Sequence, residues 1–287
     1  MNYKIVTDSS SNLFCREDVA YATVPMKIIA GDKEYVDDPQ LDVAGMVDDL
    51  KKHKGKSGSS CPNVQDWLDA FGDADCVIAI TITAELSGSY SSAMNAAAVY
   101  ESENPGRKVF VLDSRGTGPE MMLAAQKIKE LIDNGLEFDE IKTQIIEYHK
   151  YLHTLFCLQS LTNLARNGRV NPAVAKIVGA LGIRVMGEAQ GGQIIPMHKV
   201  RGDKKAIPVL VEMMKERGFY DGATLRIAHC MGEEPALMLR DAVLAEFPNT
   251  KFILEPTGAL CSFYAEEGGL MIGIEGGYNK NNNTHDF

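Results

Sequence analysis

The chain lacks the marks of several function classes. It has no GxGxxG for a dinucleotide, and no lysine stands beside the glycines of its hydroxyl-rich turns, so neither a Rossmann loop nor a Walker loop is present. No Gly-x-Ser-x-Gly nucleophile elbow is formed around Ser89, Ser91 and Ser92. Its six cysteines, Cys15, Cys61, Cys76, Cys157, Cys230 and Cys261, show no CxxC and no zinc spacing, and read as reduced thiols. No metal and no cofactor is therefore expected. No apolar run reaches the roughly 20 residues of a membrane span. The first residues lead straight into a strand rather than a signal peptide, so the expected location is cytoplasmic. Positive charge is scarce: 29 Lys and Arg against 39 Asp and Glu leave a net charge of −10, which argues against a nucleic-acid partner.

What the sequence does contain suits a globular protein. With 287 residues, 45% hydrophobic and 24% charged, it can build one large domain or two ordinary ones. Thirteen methionines against one tryptophan suggest apolar surface that adapts to a flexible partner, although core filling explains any single one equally well. The organising stretch is 77–93. Its first half, Val77-Ile78-Ala79-Ile80-Thr81-Ile82, is a β-branched run expected of a strand buried on both faces. Its second half, Leu86-Ser87-Gly88-Ser89-Tyr90-Ser91-Ser92-Ala93, starts a helix. A strand ending in such a helix start presents unpaired N–H groups at the carboxyl edge of a sheet, a corner suited to a small anion. With no fixed cation beside it, the corner suits a carboxylate. The same serines would serve equally well as helix caps.

In chain order, strands are expected at 3–7, 77–83 and 108–112, alternating with helices at 41–54, 64–71, from Pro119 to the Asn134-Gly135 stop, and 138–151. Residues 21–29 form an apolar stretch, 30–37 a polar hairpin, and 55–63 a loop of hydroxyls. If Ser59 and Ser60 of that loop face the corner at Ser87, Gly88, Ser91 and Ser92, the two turns surround one carboxylate. The alternation predicts a parallel sheet covered on both faces, with a domain boundary near 150. The second half, 151–287, reads as a mixed sheet with helices. Its strands fall at 152–158, 183–188, 193–199, 224–229, 251–256 and 269–275, its helices at 160–167, 172–181, 203–217 and 233–247. The polar tail at 276–287 is expected to fray.

Taken together these segments resemble the DegV family of bacterial fatty-acid-binding proteins, some of which are the acyl-carrying subunit of a two-component fatty acid kinase. The resemblance is carried by Lys4-Ile5-Val6-Thr7-Asp8-Ser9-Ser10, Val24-Pro25-Met26-Lys27, Gly31-Asp32-Lys33-Glu34-Tyr35-Val36-Asp37, Ser59-Ser60-Cys61-Pro62, and the 86–93 segment. Asp113-Ser114, Leu161-Thr162-Asn163-Leu164-Ala165-Arg166-Asn167-Gly168-Arg169 and Lys199-Val200-Arg201-Gly202 add to it. It implies a two-domain α/β fold, an N-terminal α/β/α domain (1–150) with a parallel sheet and a C-terminal α/β domain (151–287) with a mixed sheet, holding a long-chain fatty acid between them. By motif the carboxylate-binding hydroxyls fall on Ser59 and Ser92, and Arg169 and Arg201 match family arginines near the head group. The apolar segment Val174, Ile177, Val178, Leu181, Ile183 and Val185 is the expected tunnel wall.

The chain departs from the family pattern in places. Cys61 stands where many relatives carry Gln. The family's C-terminal His followed by Gly-Pro-Gly aligns with Tyr264-Ala265-Glu266-Glu267-Gly268. Tyr264 can still donate to a carboxylate, whereas Glu266 and Glu267 near the head group would oppose an acyl phosphate. A lipid carrier without chemistry of its own is thus favoured, with a kinase subunit as the partner the resemblance implies. The alternative is an enzyme. Its fold would be that of the dihydroxyacetone kinases, which the chain also resembles, and His229 would be its best-placed base.

Overall fold

The computed structural model describes residues 1–175 and 182–277. The first half builds a four-stranded parallel sheet in the order β2 (Tyr21–Val24), β1 (Tyr3–Asp8), β6 (Cys76–Thr81) and β7 (Lys108–Asp113). Strand alternation sends its side chains two ways. Ile5, Ile78 and Ile80 pack with α4 (Pro119–Asp133) and α5 (Phe138–His149). Val6, Val77 and Ala79 pack with α2 (Val64–Phe71) and α3 (Ser89–Glu103). Small residues on α3, Ala93, Ala96 and Ala97, bring it close to the sheet. α2 starts with a reciprocal cap between Asn63 and Asp66.

The stretch 21–29 does not form one element. Pro25 lacks an N–H and ends β2, and the chain re-enters as β3 (Lys27–Ala30) in a different sheet. That small antiparallel sheet has the order β4 (Lys33–Val36), β3, β5 (Ser57–Ser60). Strand β5 lies inside the segment expected as a hydroxyl loop. Its Ser and Gly residues have little strand preference, and pairing with β3 makes it a strand. Helix α1 (Val43–Lys52) packs on α10 (Ala259–Ala265), shares a core with Ile28 of β3 through Met46 and Val47, and takes the Tyr35 hydroxyl of β4 on Asp49 at 3.0 Å.

After α5 the chain enters a six-stranded mixed sheet in the order β10 (Gln193–Arg201), β9 (Ile183–Gln190), β8 (Leu152–Leu158), β13 (Leu270–Glu275), β11 (Thr224–His229) and β12 (Lys251–Pro256). Helices α8 (Asp203–Glu216) and α9 (Glu233–Glu246) bury one face of it. Against the other face lies α4, which also covers the parallel sheet. Gly273 on β13 permits that approach, because a Cβ there would stand 2.6 Å from the Glu120 backbone nitrogen. Short helices α6 (Thr162–Arg166), α7 (Pro172–Ala175) and α10 (Ala259–Ala265) complete the described chain. Helix α10 has no counterpart in the sequence reading. Ile177, Val178, Leu181, the rest of the 172–181 helix, the side chain of Val174 and the tail from 278 lie outside the described residues.

Candidate ligand-binding site

Two buried carboxylates set the frame. Asp8, at the end of β1, accepts the Ile82 N–H at 2.9 Å and the Ser89 hydroxyl at 2.6 Å, and Ser10 also donates to it. It ties the end of β6 and the first turn of α3 to β1. Burial raises its pKa, partly offset by those donors. Asp37, after β4, accepts the Ala259 N–H at 2.6 Å, the Leu260 N–H at 3.1 Å and the Ser9 hydroxyl at 2.8 Å. It thereby satisfies the orphan donors at the start of α10. Burial holds its pKa up at about 6. Asn12 takes the preceding Gly258 N–H at 2.8 Å. The sequence alone does not mark either acid as a site residue. The signal was present in the Asp8-Ser9-Ser10 and Asp37 motifs.

With α10 fixed in this way, its Tyr264 hydroxyl reaches the Ser59 hydroxyl of β5 at 2.8 Å. The pair stands on a cavity of about 310 Å³, the size of a small-molecule pocket. Ser60, Cys61, Ser87, Gly88 and Arg169 share that wall. The two turns do converge: a Cβ on Gly88 would lie 3.1 Å from Cys61 Sγ, so glycine keeps the approach open. Ser87 Oγ accepts the Ser89 N–H at 3.3 Å, one residue ahead of Gly88, the N-cap of α3. Arg169 donates from Nε to the Leu86 carbonyl at 3.2 Å and also to the Asn167 carbonyl, which holds its charge at the cavity wall.

Other expected residues lie elsewhere. Ser91 and Ser92 do not line the cavity. Ser89 is turned inward to Asp8, and at about 100° per residue this sends Ser91, two positions on, to the exposed side of α3, with Ser92 half-buried beyond it. Arg201 ends the edge strand β10, is exposed, and is also off the cavity. Ile183 and Val185 pack into the adjoining core rather than the wall. Among the described residues the apolar wall includes Met26, Ile82, Phe156, Leu158, Ile194 and Met271, which lie on elements of both halves. Glu266 and Glu267 do not face the hydroxyl pair. Glu266 accepts from the Ser160 hydroxyl at 2.8 Å and the Asn163 N–H at 3.1 Å, and Glu267 pairs with Lys51 at 2.6 Å.

His229, the base of the enzyme alternative, accepts the Gly232 N–H at 3.2 Å through Nδ1 and does not line the cavity. Burial lowers its pKa. Among the described residues no group of three or more His, Cys, Asp or Glu side chains is placed to hold a metal ion, and no helix is long and apolar enough to cross a membrane. The arrangement offers an oily enclosure with hydroxyl donors and one guanidinium at its polar wall. It can hold a carboxylic acid with a long apolar body.

Known proteins show the same architecture. A family model described as an uncharacterised protein of the DegV family matches residues 2–275. A DegV domain-containing protein of Streptococcus gordonii is 38% identical over 280 residues, covering 96% of this chain and 99% of that protein. Among solved structures, a DegV family protein from Eubacterium eligens loaded with heptadecanoic acid superposes with a TM-score of 0.93 at 39% identity, covering 96% of this chain and 99% of that one. The Streptococcus pneumoniae fatty acid kinase (Fak) B3 protein loaded with linoleic acid superposes with a TM-score of 0.92 at 35% identity and the same coverage. Matched in sequence and in backbone along nearly its whole length, the chain belongs to the DegV family.

Proposed function

We propose that this protein binds one long-chain fatty acid in the cavity between its two halves, divided near residue 150, and carries it without chemistry of its own. The observation that supports this most is the pairing of Ser59 with Tyr264 on the wall of a mainly apolar cavity. The carboxylate lies against these hydroxyls, with Ser60, Ser87 and the turn at Gly88 around it and Arg169 as the nearby positive charge. Burying an alkyl chain contributes roughly 0.8 kcal/mol per methylene, on the order of 12 kcal/mol for about 15 methylenes before ordering costs. The head group need only orient the ligand.

Two related proteins, from Eubacterium eligens and Streptococcus pneumoniae, are loaded with fatty acids, and the second is a fatty acid kinase B protein. The carrier role here is accordingly to present the bound acid to a kinase subunit. The placement of Glu266 and Glu267 away from the hydroxyl pair removes one objection to that role. The protein works in the cytoplasm, in keeping with six free thiols. Calorimetric titration of delipidated protein with hexadecanoic acid tests the binding. Saturation near one equivalent is expected, and heat no greater than that of titrating buffer would remove the reading.

A further inference from the structure

One stretch of the cavity wall is carried by an arm rather than by the body of the fold. Ala189, Gly192 and Ile194 line the cavity, and all three lie on the hairpin made by the end of β9 and the start of β10. The ladder between β9 and β8 runs from Val185–Leu158 to Glu188–Leu155 and stops there, whereas β9 and β10 stay paired through Ala189–Ile194 to Gln190–Gln193. Beyond Glu188 the hairpin therefore projects past the rest of the six-stranded sheet, of which β10 is already the edge.

The base of this arm is fixed and its tip is latched. At the base, buried Glu188 accepts from Arg217 Nε at 2.5 Å, which ties β9 to the end of α8. In β10 the register slips between Pro196 and His198, so Met197 is an extra residue, 40% exposed, at the place where a strand bends most easily. At the tip, Gly191 and Gly192 turn the chain with φ of +57° and +84°. The Gly192 carbonyl accepts from the hydroxyl of Thr83 at 3.0 Å, a bond from the second half of the chain to the segment that follows β6 in the first. Thr83 itself is buried and held, its N–H donating to the Gly116 carbonyl at 3.0 Å and its Oγ1 accepting the Glu85 N–H at 3.3 Å. The tip sits so tightly in this notch that a Cβ on Gly192 would collide with the Thr83 hydroxyl and stand 2.9 Å from Glu85 Cγ.

Accepting the fatty-acid reading above, we propose that the arm 189–195 is a gate of the cavity, swinging on its base at Glu188 and the Pro196–His198 bulge, and that Thr83 holds it shut through Gly192. Lifting the tip takes Ala189, Gly192 and Ile194 off the wall together and opens the apolar interior from the side. Ser59 and Tyr264, on β5 and α10, keep their places meanwhile. The closed form is favoured by one hydrogen bond and the seating of a glycine, a bias small enough for opening on the time scale of ligand exchange. Thr83 is thus a positioning residue. Its hydroxyl donates to the arm and leaves no hydrogen for a ligand.

The test is the rate at which loaded full-length protein releases hexadecanoic acid to a large excess of serum albumin, with the equilibrium affinity measured beside it by calorimetry. Thr83→Val removes the latch hydroxyl at nearly constant shape, and release should quicken about three- to tenfold. Because the closed form is weakened equally with and without ligand, Kd should stay within about twofold of the parent. Thr83→Ser keeps the hydroxyl and should release at close to the parent rate. Gly192→Ala, whose methyl group cannot seat against Thr83, should release at least as fast as Thr83→Val, and combining the two should add little, since both undo one contact. Unchanged release in Thr83→Val and Gly192→Ala would overturn this inference alone. So would faster release matched by an equal loss of affinity, which would make Thr83 a ligand contact. Failure of the parent to bind hexadecanoic acid at all would remove the fatty-acid reading and this inference with it.

Discussion

The hydroxyls of Ser59 and Tyr264, 205 residues apart in sequence, lie 2.8 Å from each other. One is carried by a strand that exists only through pairing with β3, the other by a short helix whose first N–H groups are held by Asp37. The cavity wall is therefore assembled from both halves, and its parts can be tested separately.

Removing either hydroxyl should weaken fatty-acid binding without disturbing the fold. A hydrogen bond to a charged group contributes about 1.5–3 kcal/mol, so Ser59→Ala and Tyr264→Phe should each weaken binding by roughly tenfold or more. If both serve one carboxylate, as proposed, the double variant should lose less than the two single effects added together. Calorimetry on the four proteins measures this. Strictly additive losses would mean that the two groups do not share a ligand.

Filling the enclosure should discriminate by chain length. Ile194 lines the cavity and is only half-buried, so a larger side chain there can be accommodated while intruding on the space. Ile194→Trp should weaken binding of an octadecanoic acid much more than that of a dodecanoic acid. Equal loss for both, or none, would place the alkyl chain elsewhere.

Much of this architecture is legible in the sequence. The strands 152–158, 224–229 and 251–256 have the bounds that their apolar runs suggest, and Pro119 starts α4. What escapes is whatever depends on distant partners. Ser57–Ser60 has no strand composition of its own, and α10 is short, with the unpatterned apolar sequence of a buried helix. The rotation of α3, which carries Ser91 and Ser92 away from the cavity, is set by the contact between Ser89 and Asp8 across 81 residues. The cavity wall draws single residues from many elements. No local periodicity marks them.

Asp8 joins β1, the end of β6 and the start of α3, so its removal should be costly. Asp8→Ala leaves the buried Ile82 N–H and the Ser89 and Ser10 hydroxyls without their acceptor. Leaving such donors unsatisfied should lower stability by about 3 kcal/mol. Urea unfolding of the variant beside the parent measures this. A change below about 1 kcal/mol would mean that the cluster is easily rearranged.

Stability should also carry a signature of Asp37. Its pKa is raised by burial from 3.8 to about 6, so the folded chain holds a proton there that the unfolded chain has released. The associated stabilisation is fully present below the unfolded pKa and is lost as pH rises through the folded one. By linkage it amounts to on the order of 3 kcal/mol between about pH 4 and pH 6. Asp8, shifted in the same direction, adds to the same trend. In Asp37→Asn the Asp37 part of this slope should vanish, making the stability difference between variant and parent depend on pH across that window. Parallel curves would show that Asp37 does not titrate there.

The central claim is that this cavity holds a fatty acid, and native mass spectrometry of the protein purified without lipid removal from a bacterial host tests it most directly. The account predicts one adduct per chain with the mass of a long-chain fatty acid, much reduced in occupancy in the Ser59→Ala, Tyr264→Phe double variant. A protein that is empty as isolated, and that stays empty after incubation with hexadecanoic acid, would contradict it.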